Sequence, residues 1–256
     1  MRRAAPVASL LVLLLGACTS AGVRAGVRTV EQDARQRAAT TNGANASLLV
    51  ARRTDAGVVV VDLGWRGAER ALTDALVRLD ARPRDVVAVL LTHAHRDHVG
   101  AWRAVAHAPF YVGAGEKARL LGQAPHRGWI PRLADRLRRP ALPDAHLTVR
   151  ELPGDTALVF GRDTVRAFAL PGHTVGSVAW LLGDLLLVGD GASHSPTTGR
   201  LAPARRGFSD DVGEARRSLV RLRGAVAPYR VRAICTAHAR CAPADSATWR
   251  RLTGRD

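Results

Sequence analysis

The stretch Thr92-His93-Ala94-His95-Arg96-Asp97-His98 places three imidazoles and a carboxylate within six residues. It directly follows Asp85-Val86-Val87-Ala88-Val89-Leu90-Leu91, an apolar run that predicts a buried strand. Such a strand carries the chain to a sheet edge, where ligands of open α/β folds collect. His93 and His95 stand two apart, so an extended backbone points both rings the same way. Asp97 and His98 then turn the chain toward a helix predicted to begin near Val99. One His at a strand end is usually structural, and H-x-H alone is a weak signal. H-x-H-x-D-H after a β-branched strand is much stronger, because such groups are expensive to cluster unless a metal or partner groups compensate. Imidazole and carboxylate at this density suit zinc or another borderline divalent ion.

Outward from that stretch, residues 47–52 and 57–61 are two apolar runs around Thr54-Asp55-Ala56-Gly57, a hairpin signal. The second ends in Asp62-Leu63-Gly64. Helical spacing covers residues 66–79 and is broken by Pro83. Residues 99–107 and 114–121 also read as helices, with a short strand at 109–112 between them. Residues 122–145 are rich in Gly, Pro and Arg and read as a long excursion. His126 and Trp129 within it either line a substrate pocket or sit on a solvated loop. Strands follow at 146–150, 157–160, 164–170, 177–182 and 185–188, the last two joined by Gly183-Asp184. A long helix over 210–226 carries a capping signal in Ser209-Asp210. A final strand at 231–236 and a short helix at 246–252 complete the chain. A β-rich half with helices occurs twice, which gives an α/β or α+β class.

Three further elements accompany the first motif. Pro171-Gly172-His173-Thr174 follows a strand, and the glycine permits a tight turn that aims the ring sideways. Leu185-Leu186-Leu187-Val188-Gly189-Asp190-Gly191 is a strand ending in a carboxylate between glycines. Ile234-Cys235-Thr236-Ala237-His238 is a strand ending in an imidazole. Each is weak alone. Together, in this order and rough spacing after H-x-H-x-D-H, they resemble the metallo-β-lactamase superfamily of metal-dependent hydrolases over about residues 41–245.

The resemblance implies an α/β fold, a single-domain four-layer αββα sandwich with metals at one edge between the sheets. By position, His93, His95 and His173 match the first metal site, and Asp97, His98 and His238 match the second. Asp190 matches a carboxylate bridging two metals, with glycines on both sides leaving space for metals and substrate. Asp62 matches an acid that orients ligating histidines. The implied cofactor is a pair of zinc or similar divalent ions, whose shared water ionises near neutrality and attacks a carbonyl or phosphoryl centre. Asp97 is the implied catalytic residue, accepting a hydrogen bond from that nucleophile or taking its proton. No Ser or Cys nucleophile is then needed. His107, His126, His146 and His194 match no ligand position; His194, soon after Asp190, either faces the site or, the favoured reading, is an exposed loop residue.

Ligands identify a reaction type, whereas pocket loops identify a substrate. The leading expectation is a small-molecule carboxylic ester, thioester or lactone. The alternative is a β-lactam. Gly191 follows Asp190, so the Cys ligand of the commonest β-lactamase subclass is missing, but Asp97-His98 is compatible with the subclass that uses His at the second metal. A nuclease and a metal-stabilised binding lipoprotein stand further off.

Met1-Arg2-Arg3, an apolar run over 7–15 and Leu15-Gly16-Ala17-Cys18 read as an export signal. The ending resembles a bacterial lipobox, which implies a signal peptide over 1–17 and a lipid on Cys18. A tether over 18–40 then leads to a hydrolase domain over 41–256. The implied location is the periplasm or outer cell surface, with a membrane as partner. The formal charge of +16 comes almost wholly from arginine, with Lys117 the one lysine. These arginines are scattered rather than blocked. That pattern fits the coding bias of a GC-rich genome and argues against nucleic acid as a partner. Cys235 and Cys241 flank His238. They either pair, as an oxidising compartment permits, or remain a buried strand cysteine and a separate free thiol.

Overall fold

A computed structural model of the protein describes residues 37–40, 48–137, 146–195, 198–238 and 241–254. The expected signal peptide over residues 1–17 and the expected lipid site at Cys18 lie outside the described residues. In chain order the strands are β1 (Arg37–Thr40), β2 (Leu49–Thr54), β3 (Gly57–Val61), β4 (Val86–Leu90), β5 (Phe110–Gly113), β6 (Val149–Leu152) and β7 (Thr156–Phe160). They continue with β8 (Asp163–Ala169), β9 (Val178–Leu182), β10 (Leu185–Gly189), β11 (Ala192–His194), β12 (Leu201–Pro203), β13 (Ala233–Thr236) and β14 (Ala242–Pro243). The α-helices are α1 (Glu69–Val77), α2 (Glu116–Leu120), α3 (Trp129–Leu137), α4 (Val212–Val226) and α5 (Ser246–Thr253).

Two six-stranded sheets result, ordered β1-β2-β3-β4-β5-β6 and β14-β13-β10-β9-β8-β7. The layers follow from the period-2 alternation of apolar side chains. In β3, Val58 and Val60 face an outer core that includes Leu72, Ala75 and Leu76 of α1. Val59 and Val61 face the opposite way, into a central core shared with Trp180, Leu182, Leu185 and Leu187 of the second sheet. Leu186 and Val188 of β10 point outward to a third core with Leu219 and Leu222 of α4 and Trp249 and Leu252 of α5. Strands apolar on both faces therefore separate helix, sheet, sheet and helix, the expected αββα order. Trp180 is fully buried, and its Nε1 donates to Leu91 O at 3.0 Å, tying the second sheet to the end of β4. Burying side chains of this size contributes roughly 2 kcal/mol each before entropy is counted.

Several boundaries differ from the sequence reading. The helix expected over 99–107 is only a 3-10 turn, Trp102–Val105. The Gly100 and Ala101 amides donate to Gly64 O and Leu63 O, tying the segment to the end of β3, and Trp102 N and Ala104 N donate three residues back, to Val99 O and Ala101 O, which is the 3-10 rather than the α pattern. A Cβ on Gly100 would lie 1.8 Å from Trp65 O, so the two backbones meet only at glycine. The excursion over 122–145 contains α3. Asp211, not Ser209 or Asp210, caps α4, accepting from Glu214 N at 2.9 Å. β1 lies within residues read as tether, and the β11–β12 hairpin has no counterpart in the sequence reading.

Cys235 and Cys241 form a disulfide, with Cα atoms 4.0 Å apart. The antiparallel pairing of Ile234 with Ala242 brings the next pair of positions opposite each other. The bridge closes the turn that carries His238.

Candidate metal centre

The strand ends converge at one edge of the sandwich. Asp62 follows β3, the His93-to-His98 stretch follows β4, His173 precedes β9, Asp190 follows β10 and His238 follows β13. The two sheets are joined there by Val178 N donating to Thr92 O at 2.8 Å.

Seven residues singled out in the sequence form two groups of potential ligands. One is His93, His95, His173 and Asp190; the other is Asp97, His98, Asp190 and His238. Within each group the ligand atoms lie within 4.8 Å of one another. Asp190 belongs to both. Its Oδ2 lies 3.6 Å from His173 Nε2 and 3.3 Å from His238 Nε2. In the first group His93 Nε2, His95 Nδ1 and His173 Nε2 are only 2.9 to 3.1 Å apart.

The neighbours decide which nitrogens face the centre. Asp62 accepts from Thr92 N at 2.8 Å, from the Thr92 hydroxyl at 2.8 Å and from His98 Nδ1 at 2.8 Å. With its proton given to Asp62, the Thr92 hydroxyl is left to accept from His93 Nδ1 at 3.1 Å. Ser209 donates its hydroxyl to Arg205 O at 2.7 Å and so accepts from His173 Nδ1 at 3.2 Å. Each Nδ1–H is thereby used, and His93, His98 and His173 present bare Nε2 atoms inward. His98 Nε2 is buried with no hydrogen-bond partner among the described residues.

The bare His93 Nε2 and His173 Nε2, 3.1 Å apart, repel unless a cation sits between them. Burial drives His93 and His95 well below the ordinary imidazole pKa, assisted by the surrounding histidines. Burial likewise lowers His173, to about 4. Protonation thus cannot relieve the contact at neutral pH. In the second group burial opposes charge, but Asp62 and Asp97 raise His98, and Asp190 and Asp97 raise His238 well above normal. Burial pushes Asp97 up, yet His98 and His238 outweigh it and hold the carboxyl at about 2. Asp190 is held low by His238 and His173 against the same burial penalty. A three-imidazole, one-carboxylate set beside a two-imidazole, two-carboxylate set fits divalent metal.

A family model described as the metallo-beta-lactamase superfamily matches residues 39–238. The chain belongs to the metallo-beta-lactamase superfamily. Among curated relatives, a hydroxyacylglutathione hydrolase of Acidiphilium cryptum is 38% identical over 96 residues, 38% of this chain and 30% of that protein. A "Probable polyketide biosynthesis zinc-dependent hydrolase" of Bacillus velezensis is 28% identical over 149 residues, 57% of this chain and 54% of that protein. The chain thus spans about half or less of the length of these relatives. Among solved structures, a B3 metallo-beta-lactamase with an active-site glutamic acid superposes with a TM-score of 0.60 at 20% identity, covering 82% of this chain and 81% of the other. The superfamily's sandwich is the fold described above.

Other residues were placed only by the structure. His126 is buried and stacks on His95, with centroids 4.5 Å apart and planes at 28°. It reaches the centre from the excursion loop, whereas Trp129 is 61% exposed. His194 is half-buried on β11, with Nδ1 3.4 Å from Thr236 Oγ1, and is not an exposed loop residue. The glycines flanking Asp190 do not open space for metals. A Cβ on Gly189 would meet Thr92 Oγ1 at 2.6 Å, and one on Gly191 would meet Leu170 Cδ2 at 2.4 Å. They let the Asp190 turn lie directly against its supports. Ser209, read as a helix cap, instead holds His173. No local pattern announces that role, because residues 173 and 209 meet only through tertiary packing.

Proposed function

We propose that this chain is a hydrolase that uses two divalent ions, zinc in the first instance, to cleave a small-molecule carboxylic ester, thioester or lactone. The observation that carries the reading is the single Asp190 oxygen shared by both ligand groups. Bound there, divalent ions supply an activated water and a Lewis acid for the attacked carbonyl. His93, His95 and His173 would hold the first ion and Asp97, His98 and His238 the second, with Asp190 available to both. Asp97 is ionised throughout the physiological range, so it orients the attacking water as a hydrogen-bond acceptor. The relative named as a hydroxyacylglutathione hydrolase supports thioesters as the first substrates to assay.

A β-lactam is the second reading. The second group, of imidazoles and carboxylates without a thiolate, is compatible with it. Parallel turnover of aryl thioesters, aryl esters, lactones and nitrocefin by zinc-loaded protein separates the two. Nitrocefin turnover without thioester, ester or lactone turnover overturns the first reading. We further propose export and lipid anchoring through Cys18, on the lipobox resemblance of Leu15-Gly16-Ala17-Cys18.

A further inference from the structure

Glu116 opens α2, 22 residues beyond Ala94 of the first motif, and its side chain is fully buried. Its Oε2 accepts from Ala94 N at 2.6 Å, the amide between His93 and His95. Its Oε1 accepts from Gly176 N at 3.0 Å, three residues after His173. Arg119 Nη1 stands 3.5 Å from the same oxygen. One carboxylate therefore grips both loops that supply the imidazoles of the first ligand group.

The surrounding backbone is shaped to permit that grip. A Cβ on Gly113 would lie 2.1 Å from Gly176 O, and one on Gly176 would lie 2.4 Å from Ala114 O and 2.7 Å from Glu116 Cγ. Only glycine at both positions lets the His173 loop come down onto β5 and α2. The clasp also extends to a third loop. Arg119 Nη2 lies 3.5 Å from Asp210 Oδ2, and Asp210 Oδ1 accepts from Arg127 N and Gly128 N, both at 2.9 Å. Those amides follow His126, which stacks on His95. The Asp210 amide in turn donates to His173 O at 2.9 Å.

We propose that Glu116 is a positioning residue that sets the spacing of His93, His95 and His173 by clamping Ala94 and Gly176 to one buried carboxylate. The inference rests on the metal reading above. Ala94 N, Gly176 N and the Arg119 guanidinium all donate to Glu116, and Thr174 adds a side-chain hydrogen bond, so only a group that accepts through both oxygens holds both loops. A glutamine has the same shape but accepts through one atom, and its amide nitrogen must face a donor on the other side. One arm of the clasp is lost without a cavity.

The test is zinc affinity by competition with a chromophoric chelator, measured on the full chain as wild type, Glu116→Gln and Leu252→Ala. Leu252, on α5, lies fully buried in the third core, which contains none of the proposed ligands. The expected result is a fall of about 10- to 100-fold in affinity for the more tightly held ion in Glu116→Gln, with circular dichroism unchanged. Leu252→Ala lowers Tm and keeps wild-type zinc affinity. If Glu116→Gln also loses Tm but keeps its zinc affinity, Glu116 is only a stabilising residue and the inference falls, the metal reading intact. If wild type binds no zinc, the metal reading falls and takes this inference with it. Should Glu116→Gln fail to fold, Glu116→Asp, which keeps the charge but reaches one amide only, is measured against the same outcomes.

Discussion

Asp190→Asn is the perturbation that bears most directly on the two-ion reading. The substitution keeps the shape of a side chain held between β10 and the Thr92 turn and removes its charge. Asp190 Oδ2 lies 3.3 Å from His238 Nε2, where a unit charge pair at an effective dielectric of about 20 interacts by about 5 kcal/mol. Desolvation of the carboxylate offsets much of that figure. A tenfold loss, about 1.4 kcal/mol, is therefore a floor. Since one oxygen faces both groups, zinc retention falls at both, and turnover falls at least about tenfold with it. A second consequence concerns the metal-free protein. Burial lowers His238, and Asp190 is foremost among the groups that raise it. With that charge gone, the His238 imidazole titrates at lower pH. Zinc per chain after dialysis, kcat on the best substrate, and the His238 titration by NMR are measured on one variant, with circular dichroism as the folding control. If the Asp190→Asn protein retains two ions, full turnover and an unmoved His238, Asp190 is merely a turn residue and the shared-ligand argument is wrong.

The remaining expectations concern pH, the disulfide and the N-terminus. Below a raised pKa an imidazole is protonated, so zinc entering the second group must displace a proton from His238, whereas His93, His95 and His173 are already neutral at pH 7. Lowering pH from about 8 to about 6 therefore strips one ion well before the other, and simultaneous loss in a dialysis series refutes this ordering. The Cys235–Cys241 bridge closes a short loop. Its removal in a double serine variant costs about 2 kcal/mol in urea unfolding, while two free thiols by alkylation and intact mass in the exported protein contradict the bridge. Cys18→Ser releases the chain from the membrane fraction or blocks its processing, and unchanged fractionation removes the lipid-anchor proposal.

All seven proposed ligands were legible in the amino-acid sequence, because a metal centre requires unusual residue types that a strand-end motif concentrates. His93, His95, Asp97 and His98 sit so close in the chain that local geometry alone nearly assembles them. His173, Asp190 and His238 were legible only as a series, through their order after apolar strands and the likeness of that order to a known family. The unbroken apolar runs of β3 and β10 likewise match strands buried on two faces. Tertiary structure decided what holds those ligands. Glu116, Ser209 and Asp210 are ordinary residues locally, and each acts on a loop tens of positions away. The 3-10 turn found after Val99 has the same origin: its Gly100 and Ala101 amides are tied to Gly64 O and Leu63 O at another strand's end, contacts that no local pattern announces. Residue chemistry is written along the chain, but hydrogen-bond partners separated by dozens of residues are chosen only when the two sheets close on each other.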